Sequence, residues 1–373
     1  MALRTTPPFR ADHVGSLLRP QTLLEARAEA TAGRITAEEL RRVEDEAIRD
    51  AVRMQEEVGL PAATDGELRR GSWHMDFIFG LDGVTRLPDD KLKVAFHSDR
   101  GDVEAVFSGM HVDGRVGLSA TIFADDFAFL RDTVTTATPK LTIPSPSMVH
   151  YRGGRASIDS AVYPEMDAFW RDLTAAYREE VRRLGALGCT YLQLDDTSLA
   201  YLNDPSERES LARRGGDLAG QHLEYIRHFN EAISERPGGM VITTHTCRGN
   251  FRSSWVAQGG YDYVAEALFN ELAVDGFFLE FDDERSGGFE PLRFVPRGKL
   301  VVLGVVTTKR GELETKDFVK RRIEDATRFI DLDQLCLSPQ CGFSSTVDGN
   351  ALTYDEQVAK LRLVVETANE VWG

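Results

Sequence analysis

Short apolar, β-rich runs alternate with longer stretches of helical period through most of the chain. The runs are ADHVGSLL (11–18), LPAATDGE (60–67), KLTIPSP (140–146), CTYLQLDD (189–196), GMVITTHTC (239–247), VDGFFLEFD (274–282), KLVVLGVV (299–306) and DQLCLSP (333–339). Helices are expected at 36–58, 165–187, 215–234, 264–272, 315–329 and 353–371. The first opens on Thr36 with Glu39 three positions later, the pattern of a capping box. Strand-and-helix units in this order predict an α/β fold, a (β/α)8 TIM barrel. Residues 72–135 break the repeat. There FIFGLDGV, KVAFHS, VEAVFSGM and VGLSATIF read as β-rich segments inserted after the second strand, a hairpin over the barrel mouth. No linker or short repeat divides the chain, so residues 1–373 are expected to form a single domain carrying this insertion.

Composition narrows the functional classes. The 373 residues are 42% hydrophobic and carry a net charge of −16, which disfavours nucleic acid or an anionic membrane as partner. The longest apolar run, LVVLGVV, is far short of the roughly 20 residues that cross a bilayer. The N-terminal MALRTTPPFRADH lacks the apolar core of a signal peptide, so the cytoplasm is the expected location. In that reducing compartment the four cysteines are expected as thiols or metal ligands. A homo-oligomer is compatible with the sequence.

Chemistry gathers at the C-terminal ends of the apolar runs, where a parallel barrel carries its active site. His245 and Cys247 are two apart on one strand and share a face. Glu280 ends GFFLE, and Cys341 follows the eighth strand in SPQCG. An imidazole, two thiolates and a carboxylate suit Zn²⁺. The plainer alternatives are an inert rim histidine and thiol, and a Glu280 salt bridge to an arginine such as Arg252. Cys189 and Cys336 lie between apolar neighbours and read as core. Of Asp195 and Asp196, adjacent on one strand, only one can face the barrel axis; such an acid could bind a cation, act as a base or cap a loop. Glu67 ends the second strand in the same way, and with Asp195 offers a cradle for an ammonium group. Gly15 and Ser16 offer N–H groups and a hydroxyl for a carboxylate. His13 is equally suited to joining the site or capping a loop. Arg69 and Arg70 are candidates for pairing with carboxylates or an anionic second substrate. Trp73, Phe77, Phe79 and Trp255 form either a stacking wall or core. The candidate catalytic groups are Glu280 and Asp195.

With FRADHVGSLLRP, TDGELRR, LQLDD, HTCRGN and SPQCGFSS in this order, the chain resembles the C-terminal catalytic barrel of cobalamin-independent methionine synthase. It resembles the short single-barrel relatives of that enzyme more closely. The resemblance implies a zinc site on His245, Cys247, Glu280 and Cys341, and homocysteine-binding groups at Ser16, Glu67 and Asp195. It also implies a zinc-dependent methyl transfer to a small thiol, homocysteine first. Two features depart from the family. An aspartate–histidine pair is expected after the seventh strand, where this chain has Thr307, Thr308 and Lys309; and a tryptophan associated with folate is absent from LTIPSPSM. The methyl donor is therefore open. Alternatives are alkyl transfer between another thiol and a corrinoid, epoxide or methylated small molecule, zinc-hydroxide chemistry, or zinc binding without catalysis.

Overall fold

In chain order the strands are β1 (Ala62–Ala63), β2 (Asp82–Phe96), β3 (Val103–Gly117), β4 (Thr138–Pro144), β5 (Tyr191–Asp196), β6 (Val241–Thr246), β7 (Gly276–Glu280), β8 (Leu300–Val306) and β9 (Leu335–Pro339). This is a computed structural model describing residues 4–98 and 101–373; residues 1–3 of the N-terminal segment and 99–100 of the inserted stretch lie outside it. Seven strands form one parallel sheet in the order β1-β4-β5-β6-β7-β8-β9, and β2 pairs with β3 antiparallel. The sheet curls until the segment after Phe9 reaches both of its edges. Asp12 N donates to Leu337 O beside β9 (3.0 Å), and Leu17 N donates to Gly66 O beyond β1 (3.0 Å). The fold is thus α/β with a TIM-barrel-like curled sheet, as the alternation predicts.

The first expected strand is reduced to a single bridge, Ala11 to Leu337. Its physical cause is Asp12, whose carboxylate accepts from Phe9 N (3.1 Å) and His13 N (2.8 Å), donors that a ladder would otherwise use. Helices cover the sheet at Ala37–Val58, Met166–Ala186, Ala265–Glu271, Lys316–Ala326 and Tyr354–Trp372, close to their expected limits. The capping box forms: Glu39 N donates to Thr36 Oγ1 (3.1 Å) and Thr36 N to Glu39 Oε2 (2.8 Å). The helix expected at 215–234 begins only at Gln221, after the flexible run Gly215, Gly216, Gly220. Helices Gln21–Thr31 and Pro205–Arg213 were not expected from the pattern. The first buries only Leu23 and so shows little period, while the second relies on Asp204 as cap and Pro205 as first residue.

The inserted stretch holds the hairpin β2–β3 and also two helices, Met75–Ile78 and Ala124–Thr133. The second helix returns the chain to β4, so the extra material ends before it and not at 135. The hairpin leans over the mouth: Trp255 N donates to His97 O (2.9 Å), and the Phe96 and Phe107 rings lie 5.2 and 6.2 Å from Phe251. Among the described residues no helix is long and apolar enough to cross a membrane.

Candidate metal centre

Strand register decides which side chains meet on the axis. Asp195, His245 and Phe278 are neighbours across β5, β6 and β7. Period-two alternation then puts Cys247 and Glu280 one level higher, toward the mouth. Glu280 faces Gly304 of β8. A Cβ on Gly304 would lie 2.6 Å from Gln340 Cα, so glycine there lets the loop after β9 fold back against the sheet. That loop carries Cys341. Gly342 is equally constrained, since a Cβ would meet Ser16 Oγ at 1.9 Å.

The outcome is a buried cluster in which one donor atom each from His245, Cys247, Glu280 and Cys341 lies within 4.8 Å of all the others. The two sulfur atoms are 3.5 Å apart, and His245 Nε2 is 3.9 Å from Glu280 Oε1. A tetrahedral zinc with Zn–S bonds of about 2.3 Å separates its sulfurs by about 3.8 Å, so the donor set and its spacing suit that ion. Surrounding groups aim the donors. Arg248 N donates to Glu280 Oε2 (3.2 Å), Gly249 N to Cys247 Sγ (3.3 Å), and the Asp195 carboxylate lies 3.6 Å from His245 Nδ1. A carboxylate behind a histidine fixes its tautomer and strengthens it as a ligand. Glu280 pairs with Arg248 and not with Arg252, which reaches Asp348 instead.

Without an ion the cluster is strongly electronegative. Burial opposes charging of His245, but Asp195, Cys341 and Glu280 together raise its pKa to about 9. The hydrogen bond between the thiols raises Cys247 above the ordinary thiol value and lowers Cys341 below it. Lys309, from the segment after β8, donates to Ser254 O (3.2 Å) and favours both thiolates by its charge. Cys189 and Cys336 are driven up to about 12 by burial, consistent with inert core thiols.

A cavity opens onto the cluster. Ser16, Glu67 and Asp195 line it, together with His245, Cys247 and Cys341. Glu67 has φ +58°, a left-handed conformation rare for a side chain with a Cβ and often found where function demands it. Its Oε1 accepts from Thr142 Oγ1 (2.7 Å), whereas Oε2 is buried with no partner. Burial, only partly offset by Arg70, raises Glu67 to about 7. Asp195 Oδ1 accepts from Gln193 Nε2 (2.7 Å). Asp196 points the other way and accepts from Leu199 N (2.7 Å), the loop-capping role.

His13 is a correction. It does not line the cavity. Alternation sends Asp12, Val14 and Ser16 inward and His13 outward, where burial and then the Lys140 charge lower its imidazole to about 4. Arg69 is absorbed by Asp45 and Asp126, and Arg70 by Glu67 and Thr142. Trp73 lines the cavity, while Phe77 is core and Trp255 stacks under Arg285. The remaining aromatic wall is Phe96, Phe107, Tyr201 and Phe251, with Arg152 and Asn250 beside it. These residues were missed because they come from the hairpin, from irregular loops and, for Tyr201, from a one-turn helix at 198–201, where no period marks a facing side.

Residues 152–370 match the family model described as the cobalamin-independent synthase catalytic domain. The Bacillus subtilis (strain 168) protein YxjH is 47% identical over 98% of this chain and 95% of its own length. The methionine synthase of Pyrococcus abyssi is 24% identical, covering 88% of this chain and 84% of that one. The crystal structure of a putative vitamin-B12 independent methionine synthase from Listeria monocytogenes superposes with a TM-score of 0.78 at 38% identity, over 99% of both chains.

Proposed function

Because the chain belongs to the cobalamin-independent methionine synthase catalytic-domain family, we propose that it is a zinc-dependent methyltransferase whose acceptor is a small thiol, homocysteine first. The observation that carries this reading is the buried His245–Cys247–Glu280–Cys341 cluster opening onto a cavity lined by the acids Glu67 and Asp195. These four side chains would hold the metal. When bound, zinc supplies the Lewis acidity that makes a thiolate available from a thiol near neutral pH.

The protein's own groups select the acceptor. Glu67 Oε2, buried and unpartnered, receives the substrate ammonium with Asp195 beside it. Ser16, held against Gly342, places a hydroxyl for the carboxylate. With both ends of the amino acid fixed, its sulfur is directed toward the thiol pair. This supplies the proximity that makes a two-substrate transfer efficient. In the transfer the acceptor sulfur forms an S–CH3 bond, the donor–CH3 bond breaks with its electron pair left on the donor, and the thiol proton is released. The aromatic hairpin and the Phe251 wall keep water from the reacting methyl. We place the protein in the cytoplasm and treat residues 1–373 as one functional unit.

Zinc-edge X-ray absorption tests the reading directly. Homocysteine is expected to add a sulfur scatterer at the metal, and an unchanged spectrum at saturating thiol overturns it. A panel of methyl donors, followed by mass spectrometry for methionine, then identifies the other substrate.

A further inference from the structure

A second chamber lies beside the metal-site cavity, between β3 and the 148–157 segment. The two spaces share His74, Phe107 and Arg152 as common walls. The second chamber is lined mainly by apolar and thioether side chains, among them Leu87, Met110, Met148 and Val149. It has no aspartate or glutamate in its lining. In a chain of net charge −16 that is a local reversal of sign.

The cation at the junction is Arg152. It is half-buried, and its Nε is buried with no hydrogen-bond partner. The buried Arg69 and Arg248 are engaged by acids, Arg69 by Asp45 and Asp126 and Arg248 by Glu280, and Arg19 by the carbonyls of Glu67, Arg70 and Ser344. Among the described residues no acid lies within ion-pair distance of Arg152; its neighbours are the Phe107 ring, 6.0 Å away, and His74. His74 offers no counter-charge. Burial, and then the charge of Arg152, keep its imidazole well below the ordinary value, and Ser72 Oγ lies 3.1 Å from Nδ1. A half-buried guanidinium with no acid partner favours a carboxylate or phosphate, which it can hold through two parallel hydrogen bonds.

We propose that this chamber is the site of the second substrate and that Arg152 is its anion anchor. The ligand is then a molecule with an apolar body, packed on the thioether wall, and a carboxylate or phosphate held at the junction. The assignment of this ligand as methyl donor rests on the methyltransferase reading above; the anion preference of the chamber does not.

The test uses zinc-loaded full-length protein and three aromatic probes of similar size: benzoate, phenyl phosphate and uncharged benzamide. Calorimetric titration is expected to show benzoate or phenyl phosphate binding at least tenfold tighter than benzamide, and the better of the two names the anion. Arg152→Gln is expected to erase that preference, and Arg152→Lys to keep part of it. Ser108→Asp, which adds a carboxylate to the lining without touching Arg152, is expected to weaken the anions and leave benzamide unchanged, so the idea survives a misfolded arginine variant. Equal affinity for all three probes, or a preference that persists in Arg152→Gln, overturns it. Homocysteine titrated into the same wild-type sample separates the two readings: its failure to bind refutes the acceptor assignment while the probe preference still stands or falls alone.

Discussion

Two charged layers lie one above the other in this barrel and are built on opposite principles. In the lower layer, Asp12 and Lys140 form a buried ion pair with a closed set of partners. Asp12 Oδ1 accepts from Lys140 Nζ (3.2 Å) and His13 N (2.8 Å), and Oδ2 from Phe9 N (3.1 Å) and Tyr191 OH (2.8 Å). Lys140 also donates to His13 O (2.6 Å). In the upper layer Glu67 leaves an oxygen unpartnered, two thiols compete for a proton, and the acids draw a proton onto His245. Buried polar groups are normally satisfied, so a satisfied layer reads as structure and an unsatisfied one as a place prepared for a ligand. Both layers are equally buried, and only the bookkeeping of partners tells them apart.

The sharpest break in that contrast is Cys341→Ala. Wild-type protein is expected to hold close to one zinc per chain by plasma mass spectrometry and the variant almost none, whereas full retention removes Cys341 from the ligand set. The lower layer answers differently. Lys140→Met leaves Asp12 charged and without its cation, and breaking a buried pair in this way costs about 3–5 kcal/mol. Urea unfolding should show that loss with zinc content unchanged; a loss below about 1 kcal/mol means that the pair is dispensable and the layers are not different in kind.

Much of the upper layer was legible before any coordinates because the barrel converts sequence period into position. His245 and Cys247 share a strand face, Glu280 ends β7 and Cys341 follows β9, so the C-terminal strand ends placed them on one rim. Ser16, Glu67 and Asp195 followed from the same rule. His13 was lost to that rule as well, because its neighbour Val14 packs inside with Phe278 and Val302 and only one parity can face the axis. The partner of Glu280 was missed by four residues, since Arg248 and Arg252 occupy an irregular turn in which residues 252 and 253 adopt positive φ. The second chamber was invisible for a related reason. Its walls come from a hairpin and a run of short 3-10 turns, and neither carries a period that says which side faces what.

Glu67→Gln gives a smaller effect of opposite sign to Lys140→Met. Burial raises the folded-state pKa of Glu67 from 4.5 to about 7. An acid raised in this way costs stability as pH climbs from its unfolded value to its folded one, and the cost is complete above it. Replacing the carboxylate should therefore stabilise the metal-free protein by about 3 kcal/mol at pH 8, and by almost nothing below pH 4.5. Equal stability of the two proteins at pH 8 means that Glu67 has a partner in solution, and the distinction between the layers weakens. The same group sets an acceptor pH profile. The ratio of homocysteine affinity in wild-type protein to that in Glu67→Gln, in which the thiol's own proton cancels, should fall about tenfold per pH unit below 7 and level off above it.

The smallest and most discriminating effect concerns Asp195, which stands between two jobs. Its carboxylate faces the acceptor cavity and also backs His245 Nδ1 at 3.6 Å. If ammonium recognition dominates, Asp195→Asn weakens homocysteine by about tenfold, the value of one lost charge-assisted contact, and leaves a thiol lacking the amino group, such as 3-mercaptopropionate, nearly unaffected. If orientation of the histidine dominates, zinc affinity falls by roughly 10–100-fold and both thiols weaken together. Calorimetry with the two thiols, alongside a chelator competition for zinc, separates these outcomes. The first is expected, because Gln193 already fixes Asp195 Oδ1 at 2.7 Å and the asparagine keeps an oxygen available to His245. Equal loss of both thiols would move Asp195 out of the acceptor site and into the support of the metal.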